Sequence, residues 1–226
     1  MRTCLLLACS AALIFPGAAL AQRAIKGELL LEEDFQRHAV YTKERLPLQA
    51  GWQVRVAHGQ WNRTADGVRS TWEKGHSPVL VVEGEFGDVV IELDFRFRAV
   101  PGQWAACRVS ATNSTLFPRG YAASVWANSD FRSRGRGFLI ENDVWDGPIT
   151  RVAFKYADYS ADTWYTLRIE LLGNRVVAEC SGVQATGTHD KFGLPKTSLW
   201  LATGQSPHDL RRLRVFAATL QPPQQN

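Results

Sequence analysis

Apolar and polar residues alternate with a period of two along most of this chain, and the clearest stretch runs from Trp164 to Gly182. A two-residue loop at Gly173-Asn174 sets Leu171 opposite Val176, Ile169 opposite Ala178 and Leu167 opposite Cys180 on one face. Arg168 then meets Glu179 on the other face. The pattern predicts a hairpin with one buried and one wet face. Such a hairpin belongs to an antiparallel sheet packed on a second layer, and its outer face is open to a ligand. The same phase recurs from Val89 to Phe97, where Val89, Ile91, Leu93, Phe95 and Phe97 point one way and Glu92, Asp94 and Arg96 point the other.

Further strands are expected at Glu28 to Leu31, Trp52 to Ala57, Val68 to Trp72, Val79 to Glu83, Trp104 to Ala111, Tyr121 to Ala127, Phe138 to Glu141, Val152 to Tyr156, Ser198 to Ala202 and Leu213 to Leu220. Turn residues punctuate them at Ala65-Asp66-Gly67, Gly84 to Asp88, Val100-Pro101-Gly102, Asp146-Gly147-Pro148 and Gly204 to Pro207. No segment carries a helical stripe of three or four turns. Many short strands at this spacing predict an all-β fold, an antiparallel β-sandwich of jelly-roll type. One sandwich domain over residues 22–220 is expected, with a frayed tail at 221–226.

The first 21 residues change the picture of where the chain works. Arg2, the apolar run from Cys4 to Phe15, and Ala19-Leu20-Ala21 before Gln22 have the charged, hydrophobic and small-residue regions of a signal peptide. Cleavage after Ala21 predicts an exported protein, periplasmic or extracellular; Leu6-Leu7-Ala8-Cys9 offers a lipoprotein box as the alternative. No later stretch reaches the roughly 20 apolar residues of a membrane span. The formal charge of +4 is scattered, which argues against a dedicated nucleic-acid binder. Arg132-Ser-Arg134-Gly-Arg136 and Arg211-Arg212-Leu-Arg214 are local basic clusters, read as a Gly-rich loop and a strand's solvent face, with a polyanion site at the first as the sharper alternative. Once the leader is gone only Cys107 and Cys180 remain, either as two small buried hydrophobes or as an inter-strand disulfide. Two cysteines build no zinc site.

Candidate chemistry gathers in a few places. Glu141-Asn-Asp143-Val-Trp145-Asp146 joins acids, an amide and an aromatic ring where a strand runs into a loop. Acids and amides bond sugar hydroxyls and an indole covers ring C–H groups, so the segment suits a carbohydrate. It suits equally a turn whose polar side chains satisfy their own backbone, with Trp145 as a core plug. Calcium is a further alternative, through Asp143, Asp146 and Asn142, although no cofactor is otherwise implied. Eight tryptophans are many for this length. Trp52 is in phase with Val54 and Val56 and belongs in the core, whereas Trp126 is out of phase with Tyr121, Ala123 and Val125. Trp104 shares its phase with Ala106 and Arg108. Arg108, Trp126, Lys155 and Trp200 are therefore the candidates for an open, ligand-binding sheet face, each with packing under a loop as the alternative. No two of the five histidines stand at a metal-ligand spacing, and His76 and His189 are the two suited to acid or base work.

Asp34-Phe35, Gly51-Trp52-Gln-Val54, Gly59-Gln-Trp61, Asp66-Gly67-Val68 and Phe86 to Phe97 resemble the opening of the concanavalin-A-like lectin/glucanase fold. More narrowly they resemble secreted bacterial domains of the 3-keto-disaccharide hydrolase-like group, and the Trp164 hairpin, His189 to Lys196 and Leu210 to Val215 extend the likeness. Where the group carries Asn-Ser-Gly, an aromatic and Arg, this chain has Trp104-Ala-Ala-Cys-Arg108; where it carries Gly-Tyr-Glu, this chain has Gly120-Tyr121-Ala122. Glucanases of the fold share a Glu-x-Asp-x-(x)-Glu strand, and Glu92-Leu-Asp94-Phe-Arg96 begins that pattern but lacks the last acid. Glu92 and Asp94 are accordingly read as a solvated strand face. The expected function is carbohydrate binding on the concave sheet face, through Arg108, Trp126, Trp145, Lys155 and Trp200. The resemblance implies an alternative, cleavage of a (3-keto-)disaccharide or related glycoside, with His76, Glu141 and Asp143 as the acid/base candidates. An envelope protein-interaction module is a third class.

Overall fold

The computed structural model describes residues 23–98, 100–129, 136–145 and 147–220. The hairpin from Trp164 to Gly182 is present in register: β13 (Trp164–Leu172) and β14 (Arg175–Cys180) pair Leu167 with Cys180, Arg168 with Glu179 and Leu171 with Val176. The other strands are β1 (Ala24–Glu33), β2 (Val40–Tyr41), β3 (Leu46–Pro47), β4 (Gln53–His58), β5 (Gln60–Thr64), β6 (Gly67–Thr71), β7 (Val79–Phe86) and β8 (Val89–Phe97). They continue with β9 (Ala106–Thr112), β10 (Gly120–Asn128), β11 (Gly137–Val144), β12 (Thr150–Lys155), β15 (Val183–Thr188), β16 (Lys196–Thr203) and β17 (His208–Leu220). Short 3-10 turns stand at Gln49–Gly51 and Asp190–Gly193.

Two antiparallel sheets face each other. Sheet I has the order β15-β14-β13-β8-β17-β6-β5-β2, with β1 also on β17; sheet II has the order β12-β11-β10-β9-β16-β7-β4-β3. The chain is thus an all-β antiparallel sandwich. Its core is the inward half of each alternation: Ile91, Leu93, Phe95 and Phe97 from sheet I meet Val54, Leu80, Val82, Val109, Val125, Phe138 and Leu199 from sheet II. Phase decides burial here, because a strand sends successive side chains to opposite faces.

Several expectations need correction. Gly84 does not end a strand but lies inside β7, because the Trp52 ring crosses it: a Cβ at that position would sit 2.4 Å from the indole. Trp52 is itself buried and stacks on Phe86, with centroids 5.7 Å apart. Cys107 and Cys180 are free thiols on β9 and β14, in opposite sheets, each facing the core. The expected signal peptide, the expected frayed tail, Asp146 and the Arg132-Arg134 part of the basic cluster lie outside the described residues.

Glu92 and Asp94 are not solvated either. They are 8% and 2% exposed, beneath a layer of cations on the outer face of sheet I. Glu92 holds Arg168 at 3.2 Å, Arg214 at 2.6 Å and Lys26; Asp94 holds Arg211 at 3.2 Å and Arg212 at 3.0 Å. Arg168 therefore turns from its register partner Glu179 to Glu92 and Glu170, and Glu179 is taken by Arg23 at 2.8 Å. Fully buried Asp209 collects Arg69, Arg96 and Arg98, each at 2.6 Å. Long arginine stems cover acids that the alternation alone assigns to water.

Candidate functional site

The outer face of sheet II carries a different chemistry. Register lines up Arg151, Glu141, Ser124, Ser110, Trp200, Val81 and Arg55 in one row across seven strands, from β12 to β4. The neighbouring row runs Phe154, Leu139, Trp126, Arg108, Ala202. Ser110 and Ser124, both fully buried, stand in the middle of the first row and Trp126 in the middle of the second.

Arg108 is the hub. Its Nε donates to Ser110 Oγ at 2.6 Å, and its Nη2 donates to Ser124 Oγ at 3.2 Å and Asp143 Oδ2 at 3.0 Å. The two serine hydroxyls are 2.9 Å apart. The guanidinium lies between two rings, with its carbon 4.1 Å from the Tyr121 centroid and 4.6 Å from that of Trp126. Bidentate use of the fork and stacking on both flanks hold it in one orientation. Trp126 is only 6% exposed, packed with Ala106, Leu139 and Trp104. It shares the site with Arg108, but its ring is covered. Glu141 and Asp143 point to the same face from alternate positions of β11 and are 1% and 7% exposed, with Arg151 4.0 Å from Glu141.

Tyr121, which the alternation places in the core, faces outward. β10 carries one extra residue against β11, since Tyr121 pairs with Asp143 and Ser124 with Glu141. A bulge of this kind brings positions three apart to the same face. Ala122 and Ala123 occupy it, and nothing in their composition marks the spot. Tyr121 then joins Trp145 (5.6 Å, 71°) and Trp200 (5.3 Å, 67°), while Trp145 and Trp200 are 6.5 Å apart at 68°. Burial pushes the Tyr121 phenol up from its ordinary pKa. Trp145 is 52% exposed, and Trp200 is half-buried with its Nε1 on Ser198 Oγ at 3.1 Å. Three rings at steep mutual angles form a corner open on the Trp145 side. The core-plug alternative for Trp145 fails because the ring stands at the strand end, outside the sandwich.

Two predicted residues lie elsewhere. Lys155 pairs with Phe138, and so sits on the core-side face of edge strand β12, across the sheet from Trp126. His76 stacks on His58 of β4, at 3.7 Å between centroids, and bonds the Ser77 carbonyl. Its neighbouring strand β7 is four positions from β11, roughly 19 Å at the usual strand spacing, so His76 does not join Glu141 and Asp143. Among the described residues no group of three or more His, Cys, Asp or Glu side chains is placed to hold a metal, and Asp143 is engaged by Arg108.

The sequence profile of the 3-keto-alpha-glucoside-1,2-lyase-like domain matches residues 48–215, a span that contains Arg108, Tyr121, Glu141, Asp143, Trp145 and Trp200. The chain belongs to that family. No curated protein matches it in sequence. Solved structures with the same fold include the carbohydrate-binding module CBM66 from Bacillus subtilis (TM-score 0.59, 11% identity, 73% of this chain and 95% of the module). A protein of unknown function with a galectin-like fold, also from Bacillus subtilis, superimposes with TM-score 0.61 at 12% identity over 88% of this chain and all of the other. The Crh5 transglycosylase does so with TM-score 0.56 at 13% identity, over 88% of this chain and 89% of the enzyme. At these identities the likeness is one of fold.

Proposed function

We propose that this family member binds carbohydrate on the outer face of sheet II, which we take to be the concave face, as an exported periplasmic or extracellular domain. A sugar ring seats on Trp145, inside the corner made with Tyr121 and Trp200, and its hydroxyls meet the polar rows beside it. The observation that carries this reading is the contrast in exposure: Trp145 stands open at 52%, whereas Glu141 and Asp143 are buried at 1% and 7%. A hydrolase must bring its carboxylates into contact with the scissile bond. Here a ligand resting on the face touches the Trp145 ring first, since Ser110 and Ser124 are as buried as the two carboxylates. Proteins of this fold include a carbohydrate-binding module and a transglycosylase, which supports a carbohydrate as the partner. Titration with a glycan panel tests it: Trp145→Ala is expected to lose binding with its fold intact, and unchanged affinity for every bound glycan overturns the assignment.

Family membership favours a second reading, cleavage of a 3-keto-α-glucoside. Glu141 and Asp143 are then its acid/base pair, and His76 has no part in it on distance. This reading requires the ligand to displace Arg108 or Arg151 from its carboxylate. Release of the aglycone from a 3-keto-α-glucoside, abolished in Glu141→Gln, is the result that establishes it over simple binding.

A further inference from the structure

A second polar site lies in the other sheet, where β17 changes partner. Asp209 and Leu210 pair with β6, residues from Leu213 onward pair with β1, and the register slips between Leu210 and Arg212. Two strands thus share one edge of β17 and leave a wedge between them. A cavity of about 520 Å³ occupies this wedge. Arg211 and Arg212 border it from β17, Glu33 from the end of β1, Arg37 from the segment after it, Asp66 from the β5–β6 turn and Gln49 from the 3-10 turn.

Its walls are fixed by contacts that no ligand is needed to explain. Glu33 is 2% exposed, and its Oε1 accepts the Phe35 N–H at 2.6 Å, holding Phe35 at φ +60° while the ring is buried in the core. Gln36 Nε2 donates to the carbonyls of Thr64 and Gly67, at 3.1 and 3.2 Å, tying the β1 wall to the turn. Gly67 lies so close to β17 that a Cβ would stand 2.0 Å from the Leu210 oxygen. From the floor, Arg211 and Arg212 are both held by Asp94. What remains is a preformed set of donors and acceptors around a volume within the roughly 300–1,000 Å³ of small-molecule sites.

We propose that this cavity binds a short, uncharged, hydroxyl-rich ligand, a mono- or disaccharide or a comparable polyol. The lining residues include four acids (Glu32, Glu33, Asp34, Asp66) and three arginines (Arg37, Arg211, Arg212), so the two signs nearly cancel. Burial also pushes the Glu33 carboxyl above its ordinary value, against the pull of the Phe35 N–H. A phosphate, sulfate or polycation meets repulsion from half of such a wall. A hydroxyl donates to a carboxylate and accepts from a guanidinium at once, and so matches both halves. The site is independent of the Trp145 corner, which lies on the opposite sheet.

Amide and indole NMR shifts of the 15N-labelled protein, titrated with maltose, cellobiose, trehalose and glycerol and in parallel with sodium sulfate, test the proposal. The expected result is saturable shifts at Ala65, Asp66 and Gln49 with at least one of the saccharides or the polyol. They should weaken at least tenfold in the Arg37→Ala/Asp66→Ala double variant, whose side chains are exposed and whose fold should survive. The Trp145 and Trp200 indole signals report the other site, and their response should be unaffected by that double variant. Shifts at Ala65, Asp66 and Gln49 with sulfate alone, with none of the four neutral probes, or equally in the double variant overturn the proposal.

Discussion

Truncating two tryptophans of the same face separates binding from stability. An indole carries on the order of 250 Å² of surface, and Trp145 leaves 52% of its own open. A pyranose covering half of that open area removes about 60 Å² from water, worth about 1.5 kcal/mol at roughly 25 cal/mol per Å². Ring-face contacts add about 1 kcal/mol, so Trp145→Ala should weaken binding by about 2.5 kcal/mol, or roughly 60-fold. Its cost in folding free energy should stay below that of a covered tryptophan, since 52% of its surface is already open and its ring contacts to Tyr121 and Trp200 are edge-on. Trp126→Ala should do the reverse. At 6% exposure, packed on Ala106 and Leu139, that ring leaves a cavity costing about 3–5 kcal/mol, a fall of about 10 °C in Tm for a domain this size. Isothermal titration with a bound glycan and urea unfolding of both variants provide the two readouts. The reasoning is refuted if Trp145→Ala binds within twofold of the parent, or if Trp126→Ala unfolds within about 1 kcal/mol of it.

Removing the carboxylate of Asp209 strands three arginines, so Asp209→Ala should cost about 3–5 kcal/mol in urea unfolding, and a loss under 1 kcal/mol would show that the cluster contributes nothing. Burial raises the Asp209 carboxyl but hydrogen bonds from Arg69, Arg96 and Arg98 outweigh it, leaving the pKa below its ordinary value. Its stabilisation is therefore present above about pH 4 and lost as pH falls through the lower folded-state pKa, a loss that Asp209→Asn should remove from the acid limb of a stability–pH curve. His208 acts in a higher window: burial lowers it to about 4, so the unfolded chain takes up a proton below about pH 6.5 that the folded chain refuses until about 4. Stability should decline across that interval, and His208→Gln should flatten the decline; an unchanged slope contradicts the assignment. Cys107 and Cys180 are buried, and burial pushes the Cys180 thiol up to about 12, so a disulfide reagent at pH 8 should label neither until the chain unfolds. Peptide mapping that finds either one labelled in the native protein would refute this.

What could be read from the residues alone was whatever depends on the period of an unbroken strand. The Gly173-Asn174 loop set the pairing of Leu167 with Cys180, and the alternation from Val89 to Phe97 named the inward half of β8, because both follow from a two-residue repeat and a two-residue turn. The outward placement of Arg108 and Trp126 followed in the same way. Tertiary structure decided the remainder. Tyr121 reached the site through a bulge, which is a mismatch between two strands and has no signature in either one. Lys155 missed it because it pairs with Phe138, on the core-side face of edge strand β12. Glu92 and Asp94 left the solvent because arginines distant in sequence fold over them, and Trp126 was covered by a guanidinium from the next strand. Period dictates which way a side chain points; only the neighbours brought in by the fold dictate whether water can still reach it.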